Sequence, residues 1–295
     1  MKKKLYLCLL GGLGNQLFQY AFAKNLQIKY NCDLILDNKT GFYLDFRDKR
    51  KFELENISQG IKKKFIPLFL IYKIYKKIFK TKKLKYFFFK KKMYDESDCK
   101  IFRKDFLSKI DTKELYLHGF FQSEKYFKQN KKKILKNLFP KKSKKKIFSK
   151  LVSEIKPNKC VALCIRLFSE VDEKQISKIG GKLNVNFYNE RIKFFKKKIK
   201  NPHFYIFTNE ENNEFDSFLK KLNLIKKNYT LITPLRGYRD SSDTLWLLSN
   251  FKYQLISNST FYWWGAYFAK QRFKKVYIKY SKNFSNKDTI YKGFF

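Results

Sequence analysis

Three stretches of the chain gather residues that can act on a negatively charged ligand. The first is Gly11-Gly-Leu-Gly-Asn-Gln-Leu-Phe-Gln-Tyr-Ala21, where three glycines in four residues precede two amides. Glycines admit a ligand close to the backbone, and a helix starting there aims its first unpaired N–H groups at it. The second is Arg166, which leaves the apolar run from Cys160 to Ile165 on its C-terminal side. A guanidinium placed there clamps a diphosphate through two parallel hydrogen bonds. In the third, Ile256-Ser-Asn-Ser-Thr-Phe-Tyr-Trp-Trp-Gly-Ala266, Ser257, Asn258, Ser259 and Thr260 stand ahead of paired tryptophans. They offer hydroxyls, an amide and open helix N–H groups to a phosphate, while Trp263 and Trp264 pack the helix behind.

Each stretch also has a plainer reading. The glycines make a tight turn in any α/β domain, Arg166 ion-pairs with Glu170 or Asp172, and the Ser/Thr run caps a helix. A cap leaves four consecutive polar residues unexplained. A dinucleotide site is a further reading of the first stretch, with Gly12, Gly14 and the later acidic residue Asp37 in register. Against it, Leu17 fills the third glycine position, and Asn15 and Gln16 put amides where a pyrophosphate needs room. His118-Gly119, with Gln122 beside it, suits a cleft wall, and a satisfied structural histidine reads equally well.

The elements that position these residues follow from periodicity. Leu5 to Leu10 reads as a buried strand. Leu17, Phe18, Ala21, Phe22 and Leu26 share one helical face, and Asp33 to Asp37 reads as a second strand. Glu114 to Gly119 reads as a strand, followed by a helix capped by Ser123. Further on, strands at Cys160–Ile165, Phe204–Thr208, Leu231–Pro234, Tyr253–Ser257 and Lys275–Tyr280 alternate with helices at Val185–Ile199, Glu214–Leu222, Asp243–Ser249 and Phe261–Lys270. This alternation predicts an α/β protein of two Rossmann-like parallel-sheet domains facing across a cleft. The first spans 1–150 and the second 157–295, with the boundary in the Lys-dense run 128–150 or at Pro157.

Composition narrows the function further. Among 295 residues, 67 Lys and Arg against 25 Asp and Glu give a net charge of +42, which attracts phosphates, nucleic acid or an anionic membrane. The excess is mostly Lys, within the Lys, Phe, Ile, Asn and Tyr usage of A/T-rich coding, and no nucleic-acid-reading motif accompanies it. Nucleic acid is therefore not an expected partner. Five cysteines without a C-x-x-C pair point to a reducing compartment, and two histidines cannot build a His-rich metal site. Lys2–Lys4 and Leu5 to Leu10 imitate a signal peptide but lack its length and cleavage site. Elsewhere the longest apolar run, Phe65 to Tyr72, is far short of the roughly 20 residues of a spanning helix, so the expected location is the cytoplasm or the inner membrane surface. Residues 61–94 interleave Lys with apolar side chains. Ile71, Ile74, Tyr75 and Ile78 fall on one helical face and Lys73, Lys76, Lys77 and Lys80 on the other, the pattern of an interfacial helix or of a surface helix covering its own core.

Residues 11–21, 118–126, 204–210 and especially Leu247-Leu-Ser-Asn-Phe-Lys-Tyr-Gln-Leu-Ile-Ser-Asn-Ser-Thr-Phe-Tyr-Trp-Trp-Gly-Ala266 resemble bacterial α-1,2-fucosyltransferases of glycosyltransferase family 11 in order and spacing. The resemblance implies a GT-B fold, GDP-L-fucose as co-substrate, no cofactor or metal, and inversion at the anomeric carbon. It also implies a glycan acceptor, lipid-linked in surface polysaccharide synthesis. Gly12, Gly14, Asn15, Arg166, Asn258, Ser259 and Thr260 become the expected donor-binding residues, and Asp243 the reader of guanine. One motif departs. The family's H-x-R-R-G-D reads Cys164-Ile-Arg-Leu-Phe-Ser169, so Arg166 keeps the first Arg while Cys164, Leu167 and Ser169 replace the His, second Arg and Asp. Leaving-group charge must then be met by Arg166 and oriented N–H groups around Asn15 and Thr260. Glu170 and His118 are candidates for the base. The departure keeps open a same-fold enzyme with another nucleotide sugar, and the net charge of +42 alone keeps open a basic nucleic-acid-binding protein.

Overall fold

A computed structural model describes residues 2–43, 45, 49–78, 93–96, 102–108, 112–168, 182–273 and 276–279. The chain divides into two compact units between Leu138 and Phe139, inside the Lys-dense run 128–150 rather than at Pro157. Residues 145–148 belong with the second unit because Phe148 packs edge-on against Tyr238 and Lys145 pairs with Asp240.

The first unit is built on β1 (Lys4–Cys8), α1 (Leu13–Tyr30), β2 (Asp33–Asp37), a short α2 (Thr40–Tyr43), α3 (Pro67–Ile78), β3 (Met93–Glu96), β4 (Glu114–Gly119) and α4 (Lys131–Leu138). Its four strands are parallel in the order β2-β1-β4-β3. Leu5, Leu7 and Cys8 are fully buried, as a central strand covered on both faces requires. Gly11 turns the chain out of β1 at φ +75°, a conformation that costs glycine nothing. Helix α1 then buries Leu17, Phe18, Ala21, Phe22 and Leu26 completely and ends on left-handed Asn31. Ser123 caps as expected, accepting from the Lys125 N–H, but the element it opens is a single 3-10 turn rather than an α-helix.

Helix α3 starts at Pro67, whose missing N–H costs nothing in a first turn. Its orientation departs from that of a surface helix covering its core with the isoleucines. Phe69 and Tyr72 are buried and Lys76 turns inward to Asp95 at 3.2 Å, while Ile71 and Ile74 remain 56% and 47% exposed. The aromatic pair fills more of the core than the isoleucines can, and the buried Asp95 carboxylate draws the ammonium in. Lys80 and the remainder of 79–92 lie outside the described residues.

The second unit carries α5 (Lys146–Glu154), β5 (Cys160–Cys164), α6 (Val185–Lys198), β6 (His203–Phe207), α7 (Asn213–Lys220), β7 (Tyr229–Ile232), α8 (Ser241–Leu248), β8 (Tyr253–Leu255), α9 (Thr260–Arg272) and β9 (Tyr277–Lys279). Its five strands are parallel in the order β7-β6-β5-β8-β9. Val161, Leu163 and Ile165 meet Tyr188, Ile192 and Phe195 of α6, and Trp263 and Trp264 of α9 are buried. The four described cysteines are buried and unbridged. Among the described residues, no helix is long and apolar enough to cross a membrane.

Candidate functional site

From β5 the second sheet grows through β6 and β7 on one side and through β8 and β9 on the other. Its order reverses between β5 and β8, and the crevice beyond the carboxyl ends of two such strands is where open α/β sheets bind ligands. Both second-half candidates sit there. Arg166 lies two residues past β5, and Ser257, Asn258 and Ser259 form the turn from β8 into α9, which begins at Thr260.

Arg166 is 13% exposed and held from three sides. Its Nη1 donates to Asn209 Oδ1 at 2.5 Å and stands 3.7 Å from Glu210 Oε1, and its guanidinium lies 5.1 Å from the Phe168 ring centre. The buried Glu210 carboxylate accepts from the Leu167 N–H at 3.0 Å and the Phe168 N–H at 2.9 Å. A buried carboxylate is tolerated only when so satisfied, and here it fixes the loop that carries the guanidinium. The described ionic partner is thus Glu210, since Glu170 and Asp172 lie outside the described residues. Asn209 and Glu210 were visible in the sequence only as the end of a strand. Their role needs β6 beside β5. Cys164 and Leu167, which replace motif residues, are fully buried, and burial pushes the Cys164 thiol up. Ser169 is outside the described residues.

Helix α9 differs from its neighbours at its N-terminus. Asn184, Asn212 and Asp240 each accept from an N–H in the first turn of α6, α7 and α8, whereas the Ser259 side chain makes no capping hydrogen bond. The first N–H groups of α9 thus keep their dipole for an anion. Ser257 and Asn258 are 1% and 7% exposed, so Ser259 and Thr260 are the half-buried members of the run. Asp243, on α8, is 2.9 Å from Lys145 Nζ, which also meets Asp240 at 3.2 Å. A base-reading role for Asp243 shares its carboxylate with that ammonium.

The first sheet reverses order between β1 and β4. The glycine loop follows β1 and the Gln122 loop follows β4, and Gln122 Nε2 donates to Asn15 Oδ1 at 2.9 Å, joining the two. The Asn15 N–H is spent on Gly12 O at 2.9 Å, so the side chain, not the backbone, is what Asn15 presents. Gly14 is buried inside α1, and Gly12 carries the loop surface. Gln16 turns inward, donating to Gly11 O and Lys51 O and accepting from the Glu53 and Leu54 N–H groups. This brings Arg50 to the loop, its Nη1 3.8 Å from where a Cβ on Gly12 would stand. Sequence reading missed Arg50 because its only signal is a basic residue in a loop-like stretch. The dinucleotide reading ends at Asp37. Its buried carboxylate accepts from the Lys39, Thr40 and Ile66 N–H groups and the Thr40 hydroxyl, leaving nothing for a ribose.

His118 pairs across β4 and β3 with Asp95. Its Nδ1 is 3.2 Å from Asp95 Oδ1, while Tyr72 and Lys76 reach the other carboxylate oxygen. Although burial alone would raise it, His118, Tyr72 and Lys76 hold the Asp95 carboxyl well below the usual range. Burial lowers His118 despite Asp95, so a neutral ring donating from Nδ1 is the consistent state. His118 Nε2 is enclosed and has no hydrogen-bond partner among the described residues. Glu170, the other base candidate, lies outside them. No group of three His, Cys, Asp or Glu side chains among the described residues is arranged to hold a metal.

The curated alpha-1,2-colitosyltransferase of Escherichia coli is 29% identical over 269 residues, covering 88% of this chain and 85% of its own. The O-antigen biosynthesis glycosyltransferase WbnK of Escherichia coli is 26% identical over 282 residues, covering 89% of each. In structure, the chain is similar to NodZ alpha-1,6-fucosyltransferase soaked with GDP-fucose, with a TM-score of 0.51 at 10% identity over 90% of this chain and 92% of that one. That likeness shows the fold alone, which is of the GT-B type with two parallel α/β units. The model of Glycosyl transferase family 11 matches residues 4–293, and the chain belongs to this family of glycosyltransferases.

Proposed function

We propose that the protein transfers L-fucose from GDP-L-fucose to the 2-hydroxyl of a galactose-type glycan, with inversion and without a metal ion. The reading rests on the switch point between β5 and β8, where a buttressed guanidinium and a helix N-terminus lacking its own side-chain cap converge. Cleavage of the sugar–phosphate bond puts negative charge on the departing diphosphate. Arg166, Ser259, Thr260 and the first N–H groups of α9 meet that charge with donors already oriented, which is where such sites gain most of their rate. Asn258 backs this turn, and Asp243 receives the guanine N–H groups.

Within the first unit, the Asn15–Gln122 amides with the Gly12 loop and Arg50 form the polar lining for the acceptor. His118 takes the acceptor proton at Nε2, with Asp95 as its positioning residue, once acceptor binding uncovers that nitrogen. Glu170 is the alternative base. The acceptor class, a surface polysaccharide repeat, follows the O-antigen relative.

A second donor is favoured by two observations, the similarity to an alpha-1,2-colitosyltransferase and the Cys164, Leu167 and Ser169 replacements. Colitose is the 3-deoxy analogue of L-fucose, so only a site that hydrogen-bonds the 3-hydroxyl separates the two. The test is thermal shift with GDP, UDP, ADP and NAD, followed by transfer from GDP-fucose and GDP-colitose in EDTA. Stabilisation by GDP alone and activity in EDTA support the proposal. No GDP shift, or activity only after adding Mn²⁺, refutes it.

A further inference from the structure

Helix α3 is apolar on two opposite sides. Phe69 and Tyr72 face the interior, and Lys76, expected to be solvated, reaches inward to Asp95. Lys73 likewise points its ammonium toward Thr40 O at 3.4 Å. The outer side is left to Ile71 and Ile74, 56% and 47% exposed, with Lys77 completing the same i, i+3, i+6 ridge. Just before the helix, Phe65 is 39% exposed beside exposed Lys62 and Lys64. Isoleucines turned to water while a lysine is turned inward is the reverse of what solubility alone selects.

We propose that this ridge is a membrane-docking face, in which Ile71, Ile74 and Phe65 enter the acyl boundary of an anionic bilayer and Lys62, Lys64 and Lys77 meet its headgroups. The occupant follows from charge and shape. Residues 61–78 contain six lysines and no acidic residue, so two copies of the face repel each other. A nucleic acid satisfies the lysines and leaves the isoleucines in water. A bilayer with anionic lipid satisfies both, through apolar burial and headgroup attraction. The inference goes beyond the transfer reaction and does not depend on the donor or acceptor.

The experiment is co-sedimentation of the full chain with vesicles of equimolar phosphatidylcholine and phosphatidylglycerol, against pure phosphatidylcholine. Wild type is expected in the anionic pellet and in the supernatant with neutral vesicles. The paired change Ile71→Ser and Ile74→Ser should weaken anionic binding about tenfold or more, and Lys64→Glu with Lys77→Glu should weaken it at low salt and leave it less salt-sensitive than wild type. The GDP-induced thermal shift and the melting temperature of each variant verify folding and the donor site separately. Wild-type partition in the isoleucine variant, binding independent of lipid charge, or a wild-type dimer that the isoleucine change dissociates would each overturn the proposal.

Discussion

Replacing Arg166 with alanine removes three contacts at once: the hydrogen bond to Asn209, the charge beside Glu210 and the stacking on Phe168. The structural cost is modest because the Glu210 carboxylate keeps the Leu167 and Phe168 N–H groups. One charge-assisted hydrogen bond puts that cost on the order of 2 kcal/mol, so the variant stays folded and melts a few degrees lower. The catalytic cost is larger. Losing a preoriented donor aimed at developing charge slows turnover by about 10²- to 10³-fold, or about 2.7–4 kcal/mol of barrier. Arg166→Lys keeps the charge but loses the fork, and belongs between wild type and alanine. The contact tightens as the diphosphate gains charge, so kcat should fall more than KM rises. The assay is initial rate of transfer, or of donor hydrolysis, on protein whose melting curve shows it folded. A folded Arg166→Ala enzyme within about twofold of wild-type kcat would remove Arg166 from the leaving-group site.

Three further outcomes are expected. Burial pushes the Glu96 carboxyl up from 4.5 to about 7, so its contribution to stability is present below pH 4.5 and is lost as pH rises to about 7. That is about 3 kcal/mol at most. Glu96→Gln should flatten denaturant-derived stability across this window, and an unchanged slope refutes the assignment. Asp95→Asn removes the charge that opposes the lowering of His118, so kcat should drop and the acid limb of its pH profile should move to lower pH. An unaltered profile leaves the pair a purely structural one. Gly265→Ala brings a Cβ within 2.8 Å of Leu248 Cβ and Cδ1 where α9 crosses α8, which should cost about 1–3 kcal/mol by chemical denaturation, with partial recovery in combination with Leu248→Ala. Absence of that recovery places the clash elsewhere.

Periodicity and punctuation alone determined most of the strands and helices, but not β3 or the helices α4 and α5 in the Lys-dense run. Asp33–Asp37 is a short apolar run, Leu34-Ile-Leu36, between two aspartates, and the Asn184, Asn212 and Asp240 caps mark helix starts that local hydrogen bonding fixes. The glycine loop, Arg166 and the Ser257 to Thr260 turn were legible because each lies at a strand's carboxyl end, a property of sequence order. Strand order was not legible, since parallel pairing is settled by how distant segments share a core. That order sets Arg166 and the α9 N-terminus on the two sides of one switch point, and Gln122 on Asn15. Tertiary structure alone also assigned the charged partners. Glu210 holds Arg166, Lys145 holds Asp243, and Asp95 collects His118, Tyr72 and Lys76, because a buried charge takes whichever opposite group the fold brings within reach, however far away in sequence. The same demand turned Lys76 inward and left Ile71 and Ile74 outside, where helical periodicity alone placed the isoleucines on one face and the lysines on the other without saying which faces the core.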